Sequence, residues 1–408
     1  MDTQASRIVG LDCHPDSFTA AVVTGQTPAQ AIVEKMYNAI GMAQLTAWTL
    51  KYTGEKDVLV LEASGNSFQI ARTLREAGRQ ALVLESCQMG KLKAAHANND
   101  KISAVRIAKA YLAGTAKTVW VPDPLTQERR DWMHAHRKAV KRTTQVRNRL
   151  RSYLSDHGVR LGPDSDLEPS PKTTQMLRQI YPWAAREWLV IDGLLMDIRQ
   201  ADEQRERWRS LIAQEVARDP LLLSLVQLCG IRDVVAFAIG AVIGDINRFA
   251  GPAKLVAYLG LNPSFDHSGK GAWEGGIGGH GRSDLRSLLV ESAQAIMRSR
   301  CPLAKWGAKL FRRKSETNLV ACAVARKLAV AVYYLLKGQW TQVEEVDTAL
   351  GLKISKIASQ IDQAALETLG LDRKQLREQM RETILTGRNY RLNPDKKWTP
   401  KPKPKAKV

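Results

Sequence analysis

The chain has 408 residues, enough for two or three domains, and carries a net charge of +20. This excess of Lys and Arg favours a polyanionic partner, either nucleic acid or an anionic membrane. The longest apolar run, at 319–336, is interrupted by Arg326 and Lys327, so we expect no membrane-spanning helix and no membrane partner. The N-terminus does not read as a signal peptide. Five scattered cysteines without a C-x-x-C pair predict reduced thiols, a cytoplasmic location and no zinc site.

The first 122 residues alternate between strand-like and helix-like stretches. They begin with two β-rich runs at 6–24 that flank a turn at His14-Pro15-Asp16, which predicts a hairpin. Helices follow at 44–52, at 68–77 and from Asp100, and strands at 58–62, 81–84 and 118–121. Strands that alternate with helices are typical of an α/β domain.

Three carboxylates stand at the ends of these elements. Asp12 ends the first strand, Glu62 ends the buried-type strand VLVLE, and Asp100 begins a helix. Strand ends gather at the rim of an α/β sheet, where such proteins place their sites. Carboxylates that converge without bases repel one another unless Mg²⁺ or Mn²⁺ holds them, so the pattern predicts a metal site. Each acid taken alone is more simply explained as a helix cap or a solvated residue, and the metal site is indicated only because all three stand at element ends in one domain.

An unbroken helix is predicted over 125–156, and its charge is one-sided. Between Arg129 and Arg151 there are nine Lys or Arg and one acid. We interpret this run as a nucleic-acid face, with a solvated face as the alternative. The candidate contacts are Arg137, Lys138, Lys141 and Arg142. A second long helix at 184–218 would pair with the first as an antiparallel linker between domains, or would dimerise.

From residue 221 the chain changes character. The sequence predicts a helix, a tight turn at Gly230 and a second helix that ends near Gly244. This is the layout of a helix-hairpin-helix, whose turn amides can hold a backbone phosphate.

A glycine-rich loop is predicted between an apolar helix at 255–261 and a helix capped by Ser283 or Asp284. The loop carries Ser268. Three basic residues accompany this serine: Lys270, Arg282 and Arg286. A small hydroxyl, a permissive backbone and guanidinium groups near a helix N-terminus suit the handling of a phosphate, and a mobile surface loop is the alternative.

The glycines at 276, 278 and 281 spell G-x-G-x-x-G. A dinucleotide fingerprint follows a strand in a βαβ unit, whereas here a helix and a Pro-broken loop precede the glycines. We therefore expect no dinucleotide site.

A second basic surface is predicted at 298–314, which holds seven basic residues and no acid. Trp306 and Phe311 interleave with the charges, as on surfaces that stack nucleic-acid bases. The candidate contacts are Arg312, Arg313 and Lys314. Beyond it we expect a core helix at 318–336, a helical extension at 343–383 and a disordered, Lys- and Pro-rich tail from Asp395.

Several short motifs occur in order along residues 6–340. The first part contains VGLD at 9–12, EASG at 62–65 and NDKISA at 99–104. The second part contains, in order, GIR at 230–232, IGDINRF at 243–249, AYLGLNP at 257–263, SG at 268–269 and GRSDLR at 281–286. In this order and spacing the chain resembles the transposases of the IS110 and IS1111 group, which are related to the Piv-type DNA invertases.

The resemblance implies an α/β RuvC-like (RNase H-like) N-terminal domain at 1–122. It also implies a long helical pair, similar to a coiled-coil linker, at 123–218. A mainly α transposase domain with a helix-hairpin-helix would follow at 219–340. A helical extension at 341–394 and a disordered basic tail at 395–408 complete the expected division.

The resemblance also implies the chemistry. Ser268 takes the position of the serine that attacks a DNA phosphodiester and forms a phosphoserine link. Asp12, Glu62 and Asp100 take the positions of the acids that bind Mg²⁺ or Mn²⁺. The family's fourth acid falls on Ser103, a neutral residue and a poor ligand for Mg²⁺, so we expect low cleavage activity from this sequence.

We therefore expect an insertion-sequence recombinase that acts on donor and target DNA. The resemblance further implies guidance by a structured (bridge) RNA and assembly as a dimer or tetramer. One alternative is a Piv-type site-specific DNA invertase. A second alternative is a nucleic-acid-binding form that no longer cleaves, because Ser103 has replaced an acid.

Overall fold

A computed structural model describes residues 7–86, 99–162, 167–268, 271–339 and 347–392. The chain forms two compact units, Met1–Asp123 and Pro124–Val408. The expected basic tail and the candidate Lys270 lie outside the described residues.

The first unit is a mixed α/β domain. In chain order its elements are β1 (Arg7–Cys13), β2 (Ser17–Thr24), β3 (Ile32–Gly41), α1 (Leu45–Tyr52), β4 (Val58–Glu62), α2 (Ser67–Glu76), β5 (Gln80–Leu84), α3 (Asp100–Leu112) and β6 (Thr118–Val119). The six strands form one sheet in the order β3-β2-β1-β4-β5-β6. β4 is parallel to β1 and β5, whereas the hairpin β1–β2, the pair β2–β3 and the pair β5–β6 are antiparallel.

Helices cover both faces of this sheet. Successive residues of a strand face opposite sides, so one strand contributes to two cores. Leu11 and Leu61 pack in the layer with α1 and α2. Ile8 and Val60 pack on the other face, against α3.

The second unit is helical apart from one hairpin among its described residues. Its elements are α4 (Pro124–Asp156), α5 (Pro171–Ile180), α6 (Ala185–Arg218), α7 (Pro220–Leu225), α8 (Asp233–Ile243), α9 (Pro252–Tyr258), β7 (Pro263–Ser268), β8 (Gly271–Ile277), α10 (Ser283–Met297), α11 (Pro302–Lys314), α12 (Thr317–Leu336), α13 (Asp347–Gln360), α14 (Gln363–Leu369) and α15 (Arg373–Leu392). α12 lies in the core of this unit and contacts α9, α10 and α11.

The long helices α4 and α6 pair antiparallel. Arg129, near the start of α4, forms ion pairs with Glu215 and Asp219 at the end of α6 and just beyond it. Further along α4, Arg147 pairs with Asp202 nearer the start of α6. Part of the positive charge on α4 is therefore neutralised by carboxylates within the unit rather than left for an external anion.

Two strand regions differ from the expectation from sequence. β3 is not predicted, because it is an edge strand whose residues are largely exposed and show no alternation of buried and exposed positions. The prediction of an irregular loop after Pro263 is wrong, because β7 and β8 form an antiparallel hairpin there. The three glycines of β8 supply no side-chain periodicity, and β7 begins with a proline and is mostly polar, so neither strand shows a strand pattern.

Two helices also correct the sequence analysis. The N-cap of α10 is Arg282, without a side-chain cap, so the prediction that Ser283 or Asp284 caps this helix is wrong. Among the described residues, α12 is long and apolar enough to cross a membrane, contrary to the expectation that no run qualifies. Its 18-residue apolar window is 56% buried inside the unit, which is the behaviour of a core helix.

Candidate active site

Asp12 and Glu62 lie side by side at the carboxyl ends of two parallel strands. In the register of β1 with β4, Leu11 is opposite Leu61, so the two acids occupy the next position of each strand. Asp12 is an even number of residues from Ile8, and Glu62 is an even number from Val60. Ile8 and Val60 are the core residues of these strands that face α3. The alternation of the pleat therefore places both carboxylates on the α3 side of the sheet.

Gly10 allows α3 to lie directly on β1. A Cβ atom at this position would fall 2.0 Å from the carbonyl oxygen of Ala104 and 3.0 Å from the amide nitrogen of Ala108. The missing side chain lets the helix backbone touch the strand. As a result, the first turn of α3 lies beside the end of β1, where Asp12 stands.

Asp100 reaches the strand end from this first turn. The turn is fixed by Asn99, whose side chain accepts a hydrogen bond from the backbone N–H of Ile102. One ligand atom each of Asp12, His14 and Asp100 lie within 4.8 Å of one another. Nε2 of His14 is 3.5 Å from Oδ1 of Asp100, and both of these side chains are exposed.

His14 joins this cluster although no sequence motif points to it as a site residue. It lies in the turn between β1 and β2, two residues after Asp12. Its position just beyond a strand that ends on a carboxylate was the available signal. The contact with Asp100 joins positions far apart in sequence, so no local pattern reveals it.

Ser103 lies beneath the cluster, one helical turn after Asp100, and is 6% exposed. Its hydroxyl accepts a hydrogen bond from Nη2 of Arg106 at 3.1 Å. The same hydroxyl donates a hydrogen bond to the carboxylate of Asp12. Ser103 therefore connects a guanidinium group to Asp12 at the position where the resemblance places a fourth acid.

The surroundings of Asp12 disfavour the ionised form of its carboxyl group. Burial raises the pKa of Asp12 above its ordinary value, and the negative charge of Asp100 also raises it. His14, the hydrogen bond from Ser103 and the charge of Arg106 lower it, without cancelling the rise. The ionised site thus holds excess negative charge, which a bound cation would offset.

The donors present fit a hard divalent cation. Asp12 and Asp100 supply carboxylate oxygens that lie within 4.8 Å of one another. Glu62 ends the neighbouring strand, but its carboxylate is not part of this group. Oxygen ligands of this kind bind Mg²⁺ and Mn²⁺, and the imidazole of His14 adds a nitrogen that Mn²⁺ accepts more readily than Mg²⁺ does.

Ser268 is the last residue of β7. The hairpin pairs run from Pro263 with Ile277 at its base to Ser268 with Gly271 at its far end. A strand does precede the G-x-G-x-x-G run, contrary to the expectation, but this strand is antiparallel to its neighbour. The βαβ unit of a dinucleotide fingerprint is therefore missing from the described part of this region.

The base of the hairpin is held by glycines and one arginine. Gly260 and Gly281 have φ angles of +68° and +88°, and a Cβ atom on Gly260 would fall 2.0 Å from the carbonyl oxygen of His280. Nη1 of Arg286 donates to the carbonyl oxygens of Gly260, Gly278 and His280, the last at 2.7 Å. This guanidinium group therefore fixes the backbone at the hairpin base.

Arg282 is held by a carboxylate at the start of α10. Its Nε and Nη2 donate to the two oxygens of Asp284, the first at 3.0 Å. Burial would raise the pKa of Asp284, but the hydrogen bonds and charge of Arg282 bring it below its ordinary value. Nη1 of Arg282 also donates to the hydroxyl of Tyr258 at 3.4 Å.

The remaining basic candidates lie on two exposed helix surfaces. On α4 these are Arg137, Lys138, Lys141 and Arg142, and at the end of α11 they are Arg312, Arg313 and Lys314. Phe311 is 41% exposed. Trp306 instead packs against the core, with Nζ of Lys327 4.8 Å from its ring centroid. Of the two aromatic residues, Phe311 is the one that presents a ring to solvent.

Two family models match the chain. A transposase model of the IS110 DEDD type matches residues 9–158, which include the Asp12, Glu62 and Asp100 positions. The model of the Transposase IS116/IS110/IS902 family matches residues 224–307, which include Ser268. A DEDD-type domain indicates the use of a divalent metal, and a transposase has DNA as its substrate.

Curated relatives agree with these matches. A putative transposase, y4qE, of Sinorhizobium fredii is 25% identical over 318 residues, which are 75% of each chain. The transposase for insertion sequence element IS1328 of Yersinia enterocolitica is 24% identical over 79% of this chain and 94% of its own length. The transposase for insertion sequence element IS1111A of Coxiella burnetii is 23% identical over 69% and 78%. With both family models in their order along one chain, the protein belongs to the IS110/IS1111 family of transposases and is a DNA transposase.

Proposed function

We propose that this transposase cuts and rejoins DNA through a covalent bond to Ser268, with metal-binding carboxylates in an RNase H-like first unit. The observation that carries the proposal is the convergence of Asp12, His14 and Asp100 within 4.8 Å, beside Glu62, at the end of a parallel pair of strands. Sheet rims of this kind are where α/β proteins place their sites.

The acids have the role of holding a cation, Mg²⁺ or Mn²⁺. Asp12 and Glu62 would bind the cation from the sheet, and Asp100 would bind it from the first turn of α3. When bound, such an ion supplies charge stabilisation for the phosphoryl group and for the departing oxygen. Gly10 has a positioning role, because it sets the distance between α3 and β1.

Ser268 has the role of nucleophile. Its Oγ forms an ester bond to the phosphorus as the bond from phosphorus to a deoxyribose oxygen breaks. The hydroxyl proton passes to water or a base, and the departing oxygen takes up a proton. Attack of a deoxyribose hydroxyl on the phosphoserine reverses these bonds and rejoins a strand, so the number of phosphodiester bonds is conserved.

A guide RNA and an oligomer belong to the same proposal. The exposed basic residues of α4 and α11 support a large phosphate-binding area, which suits a structured RNA as well as DNA. α4 and α11 each carry a separate group of basic side chains. Two nucleic-acid backbones can therefore be bound, each by a different helix.

A second candidate function is supported by Ser103. This residue is buried, accepts from Arg106 and donates to Asp12, so it fits its surroundings as a neutral side chain. A site with one carboxylate fewer attracts a divalent cation less strongly. In this second proposal the chain binds nucleic acid and cleaves it slowly or not at all.

The test of the nucleophile compares Ser268→Ala with Ser264→Ala, a matched change in the same strand. Ser264 donates to the carbonyl oxygen of Gly276 across the hairpin and has no role in the proposed chemistry. Each variant is made in the Ser103→Asp background, so that low activity of the present sequence does not hide the adduct. It is incubated with the element's end DNA, its flanking RNA and Mg²⁺, then run on a denaturing gel. We expect a protein–DNA adduct from Ser264→Ala and none from Ser268→Ala. An adduct of full yield from Ser268→Ala would exclude this serine as the nucleophile.

A further inference from the structure

A cavity of about 250 Å³ opens in the second unit beside the hairpin base. It lies between the first turns of α4, the end of α8 and the start of α10. Its charged and ionisable lining residues are Arg130, Asp131, His134, Arg137, Arg282 and Asp284. The sequence predicts Arg137 and Arg282 as separate basic contacts but does not reveal the cavity, because its walls come from three separate stretches of the chain.

Two of the lining guanidinium groups are held in fixed orientations. Arg130 donates to the carbonyl oxygens of Ala241 and Val242 at the end of α8, at 2.9 and 3.3 Å. Arg282 is held by Asp284 at the start of α10. Guanidinium groups oriented in advance lose little freedom when they bind an anion.

A third arginine increases the positive charge behind the cavity. Arg248 donates to the carbonyl oxygen of Ile243 at 3.0 Å, and its guanidinium carbon lies 4.4 Å from the ring centroid of Tyr258. Burial lowers the pKa of Arg130, and the positive charges of Arg282 and Arg248 lower it further, while Tyr258 and Asp284 raise it without cancelling the decrease. These arginines therefore repel one another, and an anion between them would relieve that repulsion.

The same arginine charges also act on the phenol of Tyr258. Burial alone would raise the pKa of Tyr258, but the charges of Arg282, Arg248 and Arg130 bring it below its ordinary value. The positive charges of three arginines therefore outweigh the effect of burial at this half-buried phenol. Two acids line the cavity as well, but Asp284 is already paired with Arg282, which leaves Asp131 as the acid that opposes the remaining arginines.

We propose that this cavity is a seat for one phosphodiester group of a nucleic-acid backbone. The planar donors of a guanidinium group suit the oxygens of a phosphate better than a halide. The Nε and Nη2 groups of Arg130 and Arg282 already donate within the protein, so these two arginines act on the anion mainly through their charge, and Arg137 is the lining arginine that we expect to contact it directly. Arg137, at the exposed rim, is followed on α4 by the exposed Lys138 and Lys141, so a backbone seated here continues along a basic surface. The nucleic acid as the source of the phosphate rests on the function proposed above, whereas the anion site itself does not.

The first test uses inorganic pyrophosphate as the probe and titration calorimetry of the full chain. Arg137→Gln removes an exposed rim charge, and we expect affinity to fall about tenfold, as for removal of one charge-assisted hydrogen bond. Arg149→Gln, an exposed change on the same helix but outside the cavity, is the matched control and leaves affinity unchanged.

Asp131→Asn supplies a change of opposite sign. It removes the opposing negative charge at nearly constant size, and its carboxylate accepts from Gln127 on the exposed surface of α4. We expect pyrophosphate to bind several-fold more tightly to this variant. Equal affinities for Arg137→Gln and Arg149→Gln, or no tightening in Asp131→Asn, would overturn the anion site.

Competition identifies the source of the phosphate. A single-stranded DNA and an RNA of the same sequence are added to the pyrophosphate complex, and displacement by either supports a backbone phosphodiester. Bound pyrophosphate that neither strand displaces would overturn the nucleic-acid assignment. These measurements involve no cleavage, so their failure leaves the Ser268 adduct test untouched, and the reverse also holds.

Discussion

A Cβ atom on Gly281 would lie 2.7 Å from the backbone nitrogen of Gly260, because the two glycines meet where the hairpin joins α10. Gly281 also has a φ of +88°, which L-residues with side chains rarely adopt. We expect Gly281→Ala to destabilise the second unit by about 1–3 kcal/mol, the usual cost of a residue forced into this region. Urea unfolding of the full chain measures the change. Gly279→Ala, with open space around its Cβ, should match the wild type; equal destabilisation in both variants would contradict the close approach of the two glycines.

A carboxylate at position 103 should restore cleavage. Ser103 lies one turn from Asp100 and already hydrogen-bonds to Asp12, so an aspartate there adds an anionic ligand on the same face of α3. We expect Ser103→Asp to raise Mg²⁺-dependent strand cleavage, by about tenfold or more if the added ligand restores one charged interaction in the transition state. Ser103→Asn has the same size without the charge and should stay at the activity of the present sequence. Equal activity in all three forms would mean that position 103 is not a metal position.

Removing the charge of Asp12 should have opposite effects with and without a divalent cation. The raised pKa means that the folded state favours the protonated form, so stability from this group is present at low pH and is lost as pH rises through the folded pKa. At neutral pH without metal, Asp12→Asn should therefore unfold at a higher temperature than the wild type. Added MgCl₂ or MnCl₂ should stabilise the wild type by mass action and leave Asp12→Asn unchanged.

Asp16→Asn provides the control for this comparison, because Asp16 is exposed in the turn that follows β1. It should behave as the wild type in both buffers. If metal stabilises Asp12→Asn as strongly as the wild type, Asp12 is not a ligand.

Cys301 should react with alkylating agents at unusually low pH. The hydrogen bond from Cys229, with further hydrogen bonds from Ser299 and from the first backbone amides of α11, lowers the pKa of the Cys301 thiol to about 6, despite burial. Mass spectrometry of iodoacetamide-treated protein should show modification of Cys301 rising with a midpoint near this pH, since the thiolate is the nucleophile. Cys13, whose pKa burial raises to about 12, serves as the internal control and should stay unmodified.

Cys229→Ala removes the first of these donors. The midpoint for Cys301 should then move to higher pH. A midpoint at the ordinary thiol pKa in the unaltered protein would contradict the hydrogen-bonded arrangement.

The exposed end of α11 should contribute to nucleic-acid affinity by neutralising backbone phosphates. Arg312 and Arg313 are exposed there, so the double variant Arg312→Gln/Arg313→Gln should weaken duplex binding on all sequences. For each phosphate that the variant no longer neutralises, the log–log slope of affinity against salt should flatten by about 0.9. Arg186→Gln/Arg199→Gln, two exposed changes on α6, should keep the wild-type slope. An unchanged slope in the α11 variant would remove this surface from the interface.

The sequence predicts the parts of this protein that combine local pattern with burial. β4 is recognisable because VLVLE is a short apolar run, and α3 because Asn99 and Asp100 form a helix start. Order and spacing of motifs then predict the acids and Ser268 as site residues.

Contacts between residues that are far apart in the chain cannot be predicted from the sequence pattern. The approach of His14 to Asp100 depends on where α3 settles, and the neutralisation of Arg147 depends on the register of α4 with α6. β8 escapes prediction because its three glycines carry no side chains that could alternate, and β7 because Pro263 and the polar residues after it resemble a loop. The fine division of the second unit stays a prediction.

The hairpin that carries Ser268 has consequences for hydrogen exchange. Among the described residues its two strands pair only with each other, whereas β1 has a partner on each side within a six-stranded sheet. An isolated two-stranded ribbon is marginally stable, so its amides should exchange through local opening while those of β1 exchange through opening of the whole sheet. Ser268 would then lie on a hairpin whose strands can separate, move and re-form their hydrogen bonds while the rest of the molecule stays folded.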